Sequence, residues 1–181
     1  MKNNKYTFWK LISEKKIVIP IIQRDYAQGR EKKEYVRKNI LEQLGKALFD
    51  NQPTELDFVY GTEARDMKLD TIRMYPLDGQ QRLTTLWLLH WYIAYKAKKL
   101  EENINGKDVI KDILKNFSYE TRTSSREFCE KLCELKYQET DNIVDLIKNQ
   151  TWFFSAWKQD PTIQAMLRML SGTNHSKIND E

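Results

Sequence analysis

Thr71-Ile72-Arg73-Met74-Tyr75-Pro76-Leu77, then Asp78-Gly79, then Gln80-Gln81-Arg82-Leu83-Thr84-Thr85-Leu86-Trp87 reads as a strand, a turn and a helix. The first seven residues are a short β-rich run. From Gln80 to Lys99, Leu83, Leu86, Leu89, His90, Ile93, Ala94 and Ala97 fall along one side of a long helix. Asp78-Gly79 supplies the turn into it. A sheet that ends at a helix N-terminus is therefore the organising feature of this chain.

Upstream, Leu56 to Tyr60 is a second short β-rich run, separated from the first by Gly61 and the charged turn Glu63-Ala64-Arg65-Asp66. A third strand, Ile17 to Ile22, follows a short helix that carries Phe8, Leu11 and Ile12. Pro20 lacks an amide donor, so this strand must lie at a sheet edge or stop pairing there. That leaves Gln23-Arg24-Asp25-Tyr26 in an irregular segment whose polar groups can face a ligand. Glu31 to Phe49 is an amphipathic helix through Tyr35, Ile40, Leu44, Ala47 and Leu48, closed by Asn51-Gln52-Pro53.

Downstream of Asn103-Ile104-Asn105-Gly106 the β signals vanish. Helices are expected at Lys107 to Asn116, Ser125 to Leu135, Asp141 to Asn149 and Pro161 to Leu170. The last has Asp160 as N-cap and Pro161 at the first helical position, where proline is favoured. Phe117 to Arg122 reads as a loop, Trp152-Phe153-Phe154 with Trp157 as aromatic packing between the two halves, and Ser171 to Glu181 as a frayed tail. The expected class is α+β, a small mixed sheet with helices followed by a helical second half.

Composition narrows the function classes. The 181 residues are 40% hydrophobic and 31% charged and include five tryptophans, which suits one folded domain with or without an extension. A net charge of +4 with both signs interspersed is compatible with nucleic acid or nucleotide partners without requiring them. Leu86 to Tyr95 is about half the roughly 20 residues that a membrane span needs, and the N-terminal stretch lacks an apolar signal core. A cytoplasmic protein with no membrane partner is expected. Cys129 and Cys133 lie one helical turn apart and the two histidines, His90 and His175, are isolated. No cluster has zinc-site spacing, and the thiols are expected to be structural.

The strand-to-helix junction is suited to phosphate, because the first turn of a helix leaves N–H groups unpaired and its dipole favours negative charge. Gly79 permits a close backbone approach or a positive φ, Gln80 and Gln81 offer amide groups, and Arg82 can bind phosphate oxygens in bidentate fashion. Thr84 and Thr85 add hydroxyls. Asp78 could hold Mg²⁺ or orient water. A purely structural reading of the same residues has Asp78 capping the helix, Gly79 making the turn and Arg82 pairing with a nearby acid. No G-x-x-x-x-G-K-[ST] segment occurs, so the P-loop architecture is excluded. Gln23-Arg24-Asp25-Tyr26 is a second polar group, in which Arg24 either faces the same pocket as Arg82 or pairs with Asp25 or Glu31 on the surface.

Taken together, Ile19-Pro20-Ile21-Ile22-Gln23-Arg24-Asp25-Tyr26 and Leu77-Asp78-Gly79-Gln80-Gln81-Arg82-Leu83-Thr84-Thr85-Leu86 resemble the N-terminal domain family of GmrSD-type restriction endonucleases. Tyr119-Glu120-Thr121-Arg122, Ser125-Arg126-Glu127-Phe128 and Trp157-Lys158-Gln159-Asp160-Pro161-Thr162-Ile163 extend the likeness over nearly the whole chain. The resemblance implies a ParB/sulfiredoxin-like nucleotide-binding core over residues 1–100 and a helical extension over 101–181 packed on it. It also implies binding and hydrolysis of a nucleoside triphosphate with Mg²⁺, coupled to recognition and cutting of modified DNA by a nuclease domain or subunit.

The resemblance ties Asp78, Gly79, Gln80, Gln81 and Arg82 to nucleotide hydrolysis and carries over Gln23, Arg24 and Tyr26 as pocket residues, and the hydroxyls of Thr84 and Thr85 are expected to join Gly79 and Arg82 in binding the nucleotide. Ala27-Gln28-Gly29 departs from the family, in which an aromatic often follows the tyrosine. The histidine-based nuclease site of family members has no counterpart in this sequence, so nuclease activity is not expected of the chain alone. A non-enzymatic DNA-binding module on the same core, using Lys and Arg for phosphate contacts, is the competing reading. Nucleotide binding separates the two.

Overall fold

The computed structural model describes residues 5–20, 25–28, 30, 34–50, 54–56, 58–68, 70–104, 106, 109–120 and 123–173. Met1–Gln23 with Phe58–Tyr137 form one compact unit, and Arg24–Asp57 with Gln138–Glu181 form a second.

The first unit opens with helix α1 (Phe8–Glu14), whose N-cap Thr7 accepts a hydrogen bond from the Lys10 amide. It runs directly into β1 (Lys15–Ile19). Strands β2 (Tyr60–Asp66) and β3 (Thr71–Asp78), helices α3 (Gln80–Lys96) and α4 (Val109–Leu114), strand β4 (Phe117–Tyr119) and helix α5 (Thr123–Cys133) complete it. The sheet order is β2-β3-β1-β4. β2 and β3 are antiparallel, whereas β1 runs parallel to both β3, with Ile17 beside Met74, and β4, with Ile17 beside Phe117. The chain is thus α+β with a mixed sheet.

Two strand expectations need correction, and a third resolves to one of its two alternatives. Phe117 to Arg122 is not all loop: Phe117 and Tyr119 are buried and Ser118 is half-buried, and the three form β4. Strand β2 starts where the expected Leu56 to Tyr60 strand ends, and the charged segment Glu63-Ala64-Arg65-Asp66 lies within it. Its residues are exposed or half-exposed, so no apolar signal marked them. Strand β1 is interior and not an edge, and it ends at Ile19, before Pro20, which is how a central strand accommodates a missing donor.

Helix α3 is the core of this unit. Its buried side chains are Leu83, Trp87, Leu88, Leu89, Trp91, Tyr92, Ala94 and Tyr95, with the polar Gln80, Thr84 and Thr85 in its first two turns. The expected stripe is therefore shifted: Ile93 is exposed and His90 only half-buried. Tryptophans one turn apart take the centre because each indole finds an acceptor, Trp87 Nε1 donating to Leu114 O at 2.9 Å and Trp91 Nε1 to Leu132 O at 2.8 Å. These bonds fasten α4 and α5 to α3. The helix closes at Lys96, and a 3₁₀ turn over Lys99–Glu101 follows. Cys129 and Cys133 are free, buried thiols. Burial raises both, Cys133 to about 12.

The second unit is helical: α2 (Glu34–Phe49), α6 (Ile143–Lys148), a 3₁₀ turn over Ser155–Lys158 and α7 (Pro161–Thr173). Asp160 caps α7 as expected, accepting from the Thr162 and Ile163 amides at 2.9 and 3.0 Å. The helix runs to Thr173 and not to Leu170. A Cβ on Gly172 would lie 2.7 Å from Leu41 on α2, so glycine lets this last turn approach its neighbour. On α2 only Ile40 and Leu44 are buried, while Tyr35 and Leu48 of the expected face are exposed. Phe153 and Phe154 meet Trp157 edge-on, with centroids 5.8 and 5.0 Å away. No helix among the described residues is long and apolar enough to cross a membrane.

Candidate functional site

The Asp78 to Arg82 segment lies where β3 ends and α3 begins. Gly79 is the N-cap residue of α3 with φ 88° and makes no side-chain cap. A side chain there would be strained by the left-handed backbone and blocked, since a Cβ would sit 2.7 Å from Val59 Cγ2. The Gly79 carbonyl accepts the first helical bond, from the Leu83 amide at 3.0 Å. Asp78 thus does not cap the helix.

Arg82, one turn into α3, donates from Nη2 to the Phe58 carbonyl at 2.7 Å and stands 3.3 Å from Asp78 Oδ2. The expected structural pairing of Arg82 with a nearby acid is therefore present. It leaves the Asp78 side chain 55% exposed and that of Arg82 21% exposed, so an anion that displaces the carboxylate can reach the guanidinium. The Phe58 carbonyl would continue to hold the arginine in place.

Gln80 is buried at 5% exposure and Gln81 is half-buried. Thr84 and Thr85 belong to the core at 1% and 2%. The Thr84 hydroxyl shares a 3.0 Å hydrogen bond with Tyr119 Oη at the end of β4. Gln23 and Arg24 lie outside the described residues. Asp25 pairs with Arg30 at 2.9 Å, and Tyr26 is buried at 1%.

Sequence reasoning missed Tyr119 and the Phe58 carbonyl as parts of this junction. The alternation of Phe117, Ser118 and Tyr119 was a period-two signal of only three residues, and a backbone carbonyl leaves no mark in a sequence. Asp78 is the one carboxylate of the segment, and no group of three or more His, Cys, Asp or Glu suited to a metal ion occurs among the described residues. That donor set fits Mg²⁺ arriving with a nucleotide, where phosphate oxygens and water supply most ligands.

A family model described as the GmrSD restriction endonuclease, N-terminal domain, matches residues 8–178. The chain belongs to this family, the N-terminal domain of GmrSD-type restriction and defence proteins. Comparison with curated proteins and with solved structures gave no match.

Proposed function

We propose that this domain binds and hydrolyses a nucleoside triphosphate as the regulatory part of a cytoplasmic, modification-dependent restriction or antiphage system, with a nuclease domain or subunit cutting modified DNA. The observation that carries the reading is the Asp78-Gly79-Gln80-Gln81-Arg82 segment at the mouth of a 17-residue helix, where amide groups and the helix dipole favour phosphate. Arg82 binds phosphate oxygens in place of Asp78, and Phe58 O keeps its guanidinium oriented. Gly79 makes the left-handed turn that opens the first turn of α3. Gln80 braces the turn from within.

Gln81, and Asp78 once released from Arg82, orient the attacking water toward the terminal phosphorus. Mg²⁺ bound with the nucleotide would take Asp78 as a ligand and offset phosphate charge. Positioning and charge stabilisation then supply the catalysis.

The test is to titrate ATP, GTP, CTP and UTP against the wild type and follow phosphate release in Arg82→Ala, Gln81→Ala and Asp78→Ala, with Lys98→Ala, beyond the C-terminal end of α3, as a remote control. Arg82→Ala should lose binding, and the other two should bind but hydrolyse slowly. If the wild type binds none of the four yet binds DNA, the chain is a DNA-binding module without nucleotide chemistry.

A further inference from the structure

Strands β3, β1 and β4 are mutually parallel neighbours, so all three deliver their C-terminal ends to one edge of the sheet. Two helices start from that edge, α3 after β3 and α5 after β4, and only the first is used by the site described above. The two lie close together. The Glu120 amide donates to Ile19 O at 2.9 Å, which keeps the end of β4 beside β1, and the Tyr119–Thr84 hydrogen bond brings it to the second turn of α3.

Ser125, the third residue of α5, is 0% exposed, and its hydroxyl has no hydrogen-bond partner. It heads the buried stripe Ser125, Phe128, Cys129, Leu132 and Cys133, the side on which Leu132 O receives the Trp91 indole of α3. Cα–Cβ bonds in a helix tilt toward its N-terminus. The Ser125 Cβ, which carries the hydroxyl, therefore leans toward the end of α5 that follows β4. A buried polar group left unpaired is destabilising, and a serine hydroxyl can donate to a phosphate oxygen.

We propose that the N-terminal turn of α5, with Ser125 Oγ as donor, is a second phosphate-binding subsite that grips the same nucleoside triphosphate opposite α3 and Arg82. This rests on the nucleotide reading above. The dipole of an 11-residue helix adds to that of α3, so two positive helix ends would face one polyphosphate. The subsite would recognise the chain of phosphates and not the base, and pyrophosphate would occupy both ends.

The experiment uses the full chain as wild type, Ser125→Ala and Arg82→Ala. Unliganded melting temperatures are measured first, then titrations with nucleoside triphosphate and with inorganic pyrophosphate, together with amide chemical-shift mapping of the wild type. Ser125→Ala should melt at or above the wild-type temperature, because an unpaired hydroxyl is gone, yet bind triphosphate about tenfold more weakly. Pyrophosphate should shift the amides of Thr123 to Ser125 as well as those of Gln80 to Arg82. Wild-type affinity in Ser125→Ala while Arg82→Ala loses binding, or shifts confined to Gln80 to Arg82, would overturn the subsite and leave the nucleotide reading standing. A wild type that binds no triphosphate would overturn both.

Discussion

Arg82 Nη2 lies 2.7 Å from the Phe58 carbonyl oxygen and 3.3 Å from Asp78 Oδ2, so one nitrogen serves a fixed acceptor and a replaceable one. A phosphate that takes this nitrogen has to compete with the carboxylate. Asp78→Asn removes the competing charge without removing the carbonyl that orients the arginine. Its affinity for a nucleoside triphosphate without Mg²⁺ should equal or exceed that of the wild type, while phosphate release falls. Arg82→Ala should weaken the same binding by about 10- to 100-fold, the scale of hydrogen bonds to charged groups. Calorimetric titration with and without Mg²⁺ measures both, and weaker metal-free binding in Asp78→Asn would contradict the competition.

Gly79 and Gly45 should answer the same substitution with opposite signs. Gly79→Ala places a side chain at φ 88° and against Val59, a loss of about 1–2 kcal/mol from the backbone alone. Gly45 sits inside α2 with nothing within 4 Å of an added Cβ, and alanine there should stabilise by about 0.5–1 kcal/mol. Urea unfolding of the two variants checks this, and a neutral Gly79→Ala would mean that the turn does not need its left-handed residue.

The Thr84–Tyr119 bond is buried at both ends. Tyr119→Phe leaves the threonine hydroxyl without that partner, which should cost about 1–3 kcal/mol. Thr84→Val combined with Tyr119→Phe should then be less damaging than the sum of the single changes, with a coupling of at least about 0.5 kcal/mol. Strict additivity in a double-mutant cycle would show that the two hydroxyls do not depend on each other.

Acid should loosen the α1–α3 contact before it reaches the carboxylates. His90 stacks on Trp9 at 5.9 Å and meets Phe8 at 4.9 Å. Burial lowers its pKa below the usual value, partly opposed by the hydrogen bond to Leu86 O. The unfolded chain therefore binds this proton more readily than the folded one. The His90 contribution is complete above the ordinary histidine pKa of about 6.5 and is lost as pH falls from there toward the lower folded value. Melting temperatures between pH 7 and 5.5 should drop in the wild type and drop less in His90→Phe, and parallel curves would refute the assignment.

The strand, turn and helix from Thr71 onward were legible because an apolar run, a glycine and a helical period adjoin there. Asp160 and Pro161 likewise marked the start of α7. Strand β2 was misplaced because an exposed edge strand carries charged residues such as Glu63 and Arg65 and shows no apolar alternation. Strand β4 has three residues, and its β-character comes from pairing with a strand far away in sequence, which no local window contains. At the candidate site, residue types and spacing left Asp78 to Arg82 open between a structural turn and a phosphate site, and the family resemblance singled the segment out. The Phe58 carbonyl, Tyr119 and the unpaired Ser125 hydroxyl could not, since each matters through a neighbour that only the fold supplies.

The central position of β1 also sets a timetable for folding. It is made early, yet its two sheet partners are β3 and β4, so Ile17 waits for Met74 on one side and Phe117 on the other. Closing such long loops carries an entropic cost before any pairing is gained, and topologies of this kind fold slowly. During synthesis the ribosome must release Tyr119 before the middle strand can be covered on both sides. A nascent or truncated chain ending between Asp78 and Phe117 would leave one flank of β1 open to pairing with other chains.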